Sequence, residues 1–137
     1  MASQLNPYLT FDGNAREAME YYKSIFGGEL TVNTFGEFGS PDPAVADRVM
    51  HASLTTPKGY ILFASDTAPG MPYTPGNTMT VSLSGDPGEG LEEAWAKLSD
   101  GGQVHVKFEK QMWGDVFGQC VDKYGIQWMV DVAGQQQ

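Results

Sequence analysis

The feature that most constrains this chain is a pattern written twice. A run with helical spacing ends in a pair of glycines and gives way to a strand-like run at Phe26-Gly27-Gly28-Glu29-Leu30. The same happens at Asp100-Gly101-Gly102-Gln103-Val104. In the first copy, Leu5 to Phe11 is rich in strand formers and Asp12-Gly13 turns the chain. Asn14, with Glu17 three residues on, is placed as the N-cap of a variant capping box. Ala15, Ala18, Met19, Tyr22 and Phe26 then mark one helix face. Gly27-Gly28 closes that helix, because glycine accepts the left-handed conformation common at helix ends. Three strand-like runs follow, 29–35, 48–56 and 60–64, with Pro57-Lys58-Gly59 turning between the last two.

The second copy repeats the order. Thr78 to Leu83 is a strand and Ser84-Gly85-Asp86-Pro87-Gly88 a turn. Leu91, Ala94, Trp95 and Leu98 mark a helix face, and 104–110, 116–121 and 126–132 supply three strands. Lys123-Tyr124-Gly125 turns between the last two. The prediction is an α+β chain of two tandem βαβββ modules, an internal duplication. The first module spans 5–66, a Pro- and Gly-rich linker 67–77, the second module 78–133, and a frayed tail 134–137. A four-stranded sheet backed by one helix leaves its other face needing cover. Two such halves are expected to form a shared concave mixed sheet, a natural small-molecule cleft.

Composition narrows the partners. The formal net charge of -9 over 137 residues repels phosphate backbones and anionic lipid, against nucleic-acid or membrane partners. The same charge favours a cationic ligand or simply keeps the chain soluble. The opening Met1-Ala2-Ser3-Gln4-Leu5-Asn6-Pro7 has no basic segment followed by an apolar run, so no secretory leader is expected. No stretch approaches the roughly 18 apolar residues of a membrane span. Cys120 is the single cysteine, which excludes an internal disulfide and suits a reducing cytoplasm.

Several segments resemble the PhnB-like branch of the vicinal-oxygen-chelate superfamily (glyoxalase, bleomycin-resistance and dihydroxybiphenyl dioxygenase proteins). They are Asn6-Pro7-Tyr8-Leu9, Ala18-Met19-Glu20-Tyr21-Tyr22-Lys23 running to Phe26-Gly27-Gly28, His51-Ala52, and Ser65-Asp66. Met112-Trp113-Gly114, Phe117-Gly118 and Asp122-Lys123-Tyr124-Gly125-Ile126-Gln127-Trp128 complete the series, in order, over nearly the whole chain. The resemblance implies the glyoxalase/bleomycin-resistance fold and a homodimer, with chemistry ranging from metal-dependent catalysis to drug sequestration. A ubiquinone-pathway methyltransferase label also travels with this branch. No Gly-rich loop here follows a strand in a nucleotide-binding arrangement, and the helix-ending glycines are accounted for as caps.

The superfamily's metal enzymes hold a divalent ion with four side chains, two from each half, at about 2 Å. By the resemblance, the last ligand falls four residues after the glycine opening the final strand of a half. That count from Gly125 reaches Met129, and from Gly59 it reaches Phe63. Asn6 or Tyr8, and Thr78, stand near the other two positions. No metal set is therefore assigned and no cofactor is predicted, although a divalent metal on a different ligand set stays open.

The catalytic candidates are His51 and Asp66. His51 starts the alternating run His51-Ala52-Ser53-Leu54-Thr55, sharing a face with Ser53 and Thr55. There it can act as general base or metal ligand, or be a hydrogen-bonded core histidine. Asp66 can orient His51 if the strands before and after the Pro57 turn form a hairpin, or it can simply open the linker. His105 shares parity with Lys107 and Glu109 on a solvated face, and Asp122 is read as stabilising the Lys123 turn. Tyr8, Phe63, Trp113, Phe117 and Trp128 form an aromatic set for binding a ligand, or are core. Gly114 and Gly118 suggest a β-bulge or a close backbone approach to a ligand. The loop-like 36–47 and a lid from Met71, Pro72 and Tyr73 complete the candidates.

Three functions follow. The preferred one is a PhnB-like small-molecule-binding protein of unassigned reaction. The others are a metal-dependent lyase, isomerase or transferase built around His51, and a resistance-type protein that sequesters a drug.

Overall fold

The computed structural model describes residues 3–40, 42–68 and 70–134. The chain divides into two units, Met1–Pro75 and Gly76–Gln137. The first unit runs β1 (Tyr8–Phe11), α1 (Ala15–Phe26), β2 (Glu29–Thr34), a short 3₁₀ turn (Gly36–Phe38), β3 (Val49–Thr55) and β4 (Ile61–Asp66). The second runs β5 (Val81–Gly85), α2 (Leu91–Ser99), β6 (Gln103–Lys110), β7 (Val116–Val121) and β8 (Gln127–Val132). Each unit is βαβββ, and the α+β class is as expected.

The two sheets share one topology, β1-β4-β3-β2 and β5-β8-β7-β6. In each, the first strand of the unit pairs in parallel with the last, and the remaining neighbours are antiparallel. Alternation along the strands decides which face is buried. In the first unit Leu9, Phe11, Val49, Ala52, Leu54, Leu62 and Ala64 point to α1 and are buried with its Ala15, Ala18, Met19 and Tyr22. In the second, Leu83, Cys120, Trp128, Val130 and Val132 are buried with Leu91, Ala94, Trp95 and Leu98 of α2. Each large apolar side chain so buried contributes about 1.5–3 kcal/mol.

The repeated glycine pairs have a specific physical basis. Gly27 and Gly101 adopt positive φ, 74° and 79°, as the chain leaves each helix. The second glycine of each pair lies against a strand end. A Cβ on Gly28 would meet the carbonyl oxygen of Thr55, and a Cβ on Gly102 that of Val121. Only a residue without a side chain lets the helix exit lie this close to the hairpin.

Four local expectations are corrected. β1 starts at Tyr8 rather than Leu5: Pro7 has no N–H, its carbonyl accepts from the Phe63 N–H, and Leu5 is fully exposed. β4 continues through Ser65 and Asp66, which pair with Thr10 and Phe11. β5 occupies Val81–Gly85 rather than 78–83, because Gly85 is still held to the sheet by the Ala133 N–H. Asn14 makes no side-chain capping bond, and the first N–H of α1 is taken by Asp66 instead. Of the expected frayed tail 134–137, residues 135–137 lie outside the described residues. No helix among the described residues is long and apolar enough to cross a membrane.

Candidate functional site

The open face of the first sheet, opposite α1, is built from the alternate residues the core does not use. The register sets Tyr8 of β1 beside Phe63 of β4, Phe63 beside Ser53 of β3, and Ser53 beside Thr31 of β2. In the neighbouring row Thr10 stands beside Ser65, and His51 beside Asn33. Three of the residues expected to matter meet here. The Tyr8 hydroxyl lies 3.1 Å from Nδ1 of His51. The Phe63 ring stands 5.2 Å from the His51 ring, tilted by 56°, and 6.2 Å edge-on from Tyr8. Tyr8 is 50% exposed, so the face is open to a ligand. At its margin Asn33 donates its side-chain amide to Glu37 of the 3₁₀ turn at 3.4 Å.

Asp66 is not part of this group, which corrects the expected Asp66–His51 pair. Its position on β4 has the parity of Leu62 and Ala64, so its carboxylate points to the helix side and is 3% exposed. One oxygen accepts from the Gly13 and Ala15 N–H groups at 2.8 and 3.0 Å, and the other from the Val49 N–H at 2.8 Å. The carboxylate thereby joins the β1–α1 junction, β3 and β4. Beside it, Arg48 donates to Asp12 at 3.0 Å and to the Thr67 hydroxyl at 2.8 Å.

Trp128 is likewise corrected, from ligand-binding to core. It is 2% exposed, and its indole N–H donates to Asp122 at 2.8 Å. The other oxygen of Asp122 accepts from the N–H groups of Tyr124 and Ile126, the expected turn-stabilising role. Trp113 and Phe117 meet edge-on at 5.8 Å, with Trp113 59% exposed. Gly118 is approached by protein rather than left open to a ligand: Trp95 stacks on Phe108 at 5.2 Å, and a Cβ on Gly118 would strike both. The bulge expected at Gly114 and Gly118 is absent from β7, which pairs with β8 in unbroken register; the register shifts lie in the facing strand β6, between Val104 and Val106 and between Val106 and Glu109. His105 is exposed. Burial, reinforced by Asp122, pushes the Cys120 thiol up to about 11, so it is an unreactive core residue.

Sequence reasoning missed a carboxyl pair, Asp115 and Asp131. Asp131 shares a row with Phe117, and no protein donor reaches its buried Oδ1. Burial first, then hydrogen bonding with Asp115 and that group's charge, raises Asp131 above its ordinary value. Asp115 is lowered, chiefly by the Gly134 N–H at 2.8 Å, then by Asp131, with the Trp113 side chain contributing less. One proton held between the two carboxyls accounts for both directions. Ser65 was also unassigned, although the tight turn between Thr56 and Gly59 sets the β3–β4 register that places it on the face of Ser53.

The metal positions do not fit a divalent ion. Phe63 has no donor atom, and Met129, which pairs with Ser82 and Gln119, offers only a thioether. Among the described residues no three His, Cys, Asp or Glu side chains are grouped to hold a metal.

A mixed four-stranded βαβββ unit, made twice and carrying an open polar and aromatic sheet face, is the glyoxalase/bleomycin-resistance fold, shared with solved glyoxalase-family structures. Residues 3–131 match the family described as 3-demethylubiquinone-9 3-methyltransferase, and the chain belongs to this PhnB-like family. It is similar to a solved protein, PA1353 from Pseudomonas aeruginosa, with TM-score 0.87 and 33% identity over 98% of this chain and 100% of that one. A second solved structure, described as a putative 3-demethylubiquinone-9 3-methyltransferase, PhnB protein, from Bacillus cereus, has TM-score 0.75 and 24% identity, covering 96% and 100%. Protein YjdN of Escherichia coli strain K12 is 28% identical, covering 96% of this chain and 97% of that protein.

Proposed function

We propose that this chain is a PhnB-like small-molecule-binding protein whose ligand lies on the open face of the first sheet, against Tyr8, His51 and Phe63. The observation that carries the reading is the contact of the Tyr8 hydroxyl with Nδ1 of His51 beside the Phe63 ring. Flat rings supply apolar area, and the phenol and imidazole supply a donor and an acceptor on a face otherwise lined by small hydroxyl groups.

Titration with the neutral aromatic fragments phenol and indole, followed by backbone amide NMR, tests the site. Shifts should concentrate in β1, β3 and β4, and Tyr8→Phe or His51→Ala should weaken binding about tenfold, the size of one hydrogen bond. Shifts confined to the second unit would overturn the assignment. The site needs no divalent ion on this reading, so protein incubated with Ni, Zn, Mn or Fe salts and desalted should retain far less than one ion per chain. One tightly held ion per chain by elemental mass spectrometry would sink that part. We also propose that the protein is a cytoplasmic homodimer; the exposure of Leu5, Met79 and Met112 supports the assembly alone. A monomer mass at micromolar concentration would refute the assembly.

A further inference from the structure

We infer that Tyr8 and His51 form a two-ended proton relay, and that the open face of the first sheet tautomerises an uncharged, flat carbonyl compound with an acidic C–H beside the carbonyl. The inference rests on the ligand site proposed above.

The argument begins with a count of protons. In its uncharged form the pair holds two, one on the phenol and one on the imidazole, and a hydrogen bond of 3.1 Å joins Oη to Nδ1. When the phenol donates to Nδ1, the free end of the imidazole is Nε2–H, a donor, and Oη keeps a lone pair. When Nδ1–H donates to Oη, Nε2 becomes an acceptor and the phenol proton turns outward. The hydrogen-bond roles of the ring depend on its tautomer, so one heavy-atom geometry accommodates both states. The pair therefore always shows one donor and one acceptor, and moving two protons exchanges the ends.

Among the described residues of the first unit no charged side chain is bonded to the pair, and Glu29, the carboxylate on the open-face row of β2, stands four residues from Asn33, opposite Thr55. Asp66, the carboxylate nearest in sequence to β4's open residues, is turned to the helix side and bonded to backbone N–H groups. Glu37 is engaged with Asn33. Arg48 is held by Asp12 and Thr67, Arg16 and Lys23 stand on α1 behind the sheet, and Lys58 lies in the turn between β3 and β4. With no cation of the first unit placed to hold an anion, the face suits an uncharged ligand, laid flat on Phe63.

The step balances without any added reagent. The substrate C–H breaks and its proton goes to Nε2 of His51, while the electron pair forms the C=C bond. The carbonyl π pair moves to oxygen, which takes the proton of Tyr8 Oη. Oη recovers a proton from Nδ1. The ketone leaves as its enol with no net charge transferred, and the pair is left in its other tautomer, ready for the reverse step.

The test is deuterium incorporation from D2O into 2-tetralone, 2-indanone and acetylacetone, followed by proton NMR, with backbone amide shifts of 8–11, 51–55 and 61–66 recorded alongside. The protein should accelerate deuteration of at least one probe. Tyr8→Phe and His51→Gln should each lower kcat about 100-fold, the lower end of general acid–base catalysis, beyond the roughly tenfold weakening of binding expected above and with the amide shifts retained at saturating probe. Amide shifts without faster deuteration of any probe would overturn the relay and leave the ligand site standing. Absence of shifts with all three would overturn both. Acceleration that survives both substitutions would place the exchange elsewhere and overturn the relay.

Discussion

Two carboxylates show how much a single residue can organise. Asp66 takes three backbone N–H groups from two separate segments, and charge-assisted bonds of this kind are worth more than neutral ones. Asp66→Ala should cost about 3–5 kcal/mol by urea denaturation, with Asp66→Asn recovering part of the loss. Asp122 does comparable work with Trp128, so Trp128→Phe, which removes the indole donor and leaves a cavity in the core, should cost at least about 1–3 kcal/mol and leave binding at His51 unchanged. The Asp115–Asp131 pair gives a pH signature. Asp131 is raised in the fold, so its contribution is present at low pH and lost as pH rises through its folded value. Asp115 is lowered, so its contribution is present above its unfolded value and lost as pH falls. The pair should favour the fold most in the acid range where it holds one proton. Thermal melts across that range should show the dependence flatten in Asp131→Asn, and an identical profile in that variant would refute the shared proton.

At the scale of elements, the helix-Gly-Gly-strand junctions were legible because two local signals coincide there, the end of an apolar periodicity and a residue tolerant of positive φ. What the sequence does not display is the reason for the second glycine, which is the carbonyl of a strand far along the chain. Gly28→Ala and Gly102→Ala should each destabilise by at least about 2 kcal/mol, more than an alanine at an exposed turn glycine such as Gly59, as read from denaturation midpoints. The open face was partly legible. Alternation from His51 named Ser53, and the turn at 57–59 fixes Ser53 opposite Phe63, but the Tyr8–His51 contact also needs the parallel β1–β4 pair, a long-range fact. For Trp128 parity outweighs residue type. Val130 and Val132 alternate with Gln127, Met129 and Asp131, and Trp128 belongs with the valines. The role of Asp66 is not local: its partners Ala15 and Val49 come from other elements, and nothing nearby in the sequence marks a carboxylate as a cap for a distant helix.

Across the whole molecule the balance of charge is the dominant long-range term. Seventeen acidic against eight basic residues leave a self-repulsion that salt screens. The melting temperature should therefore rise between about 10 and 150 mM NaCl, where the screening length falls from about 30 to 8 Å. A fall over that interval would mean that specific ion pairs outweigh the net charge. The carboxylate of Asp66 reaches α1 across 51 residues of chain. The helix thus borrows its N-terminal cap from the strand made last in its half. A nascent chain released before β4 has emerged carries an α1 whose first turn is unstapled, and a peptide of residues 12–28 should be poorly helical in water. For this half, order propagates backwards: the end of the module completes its beginning.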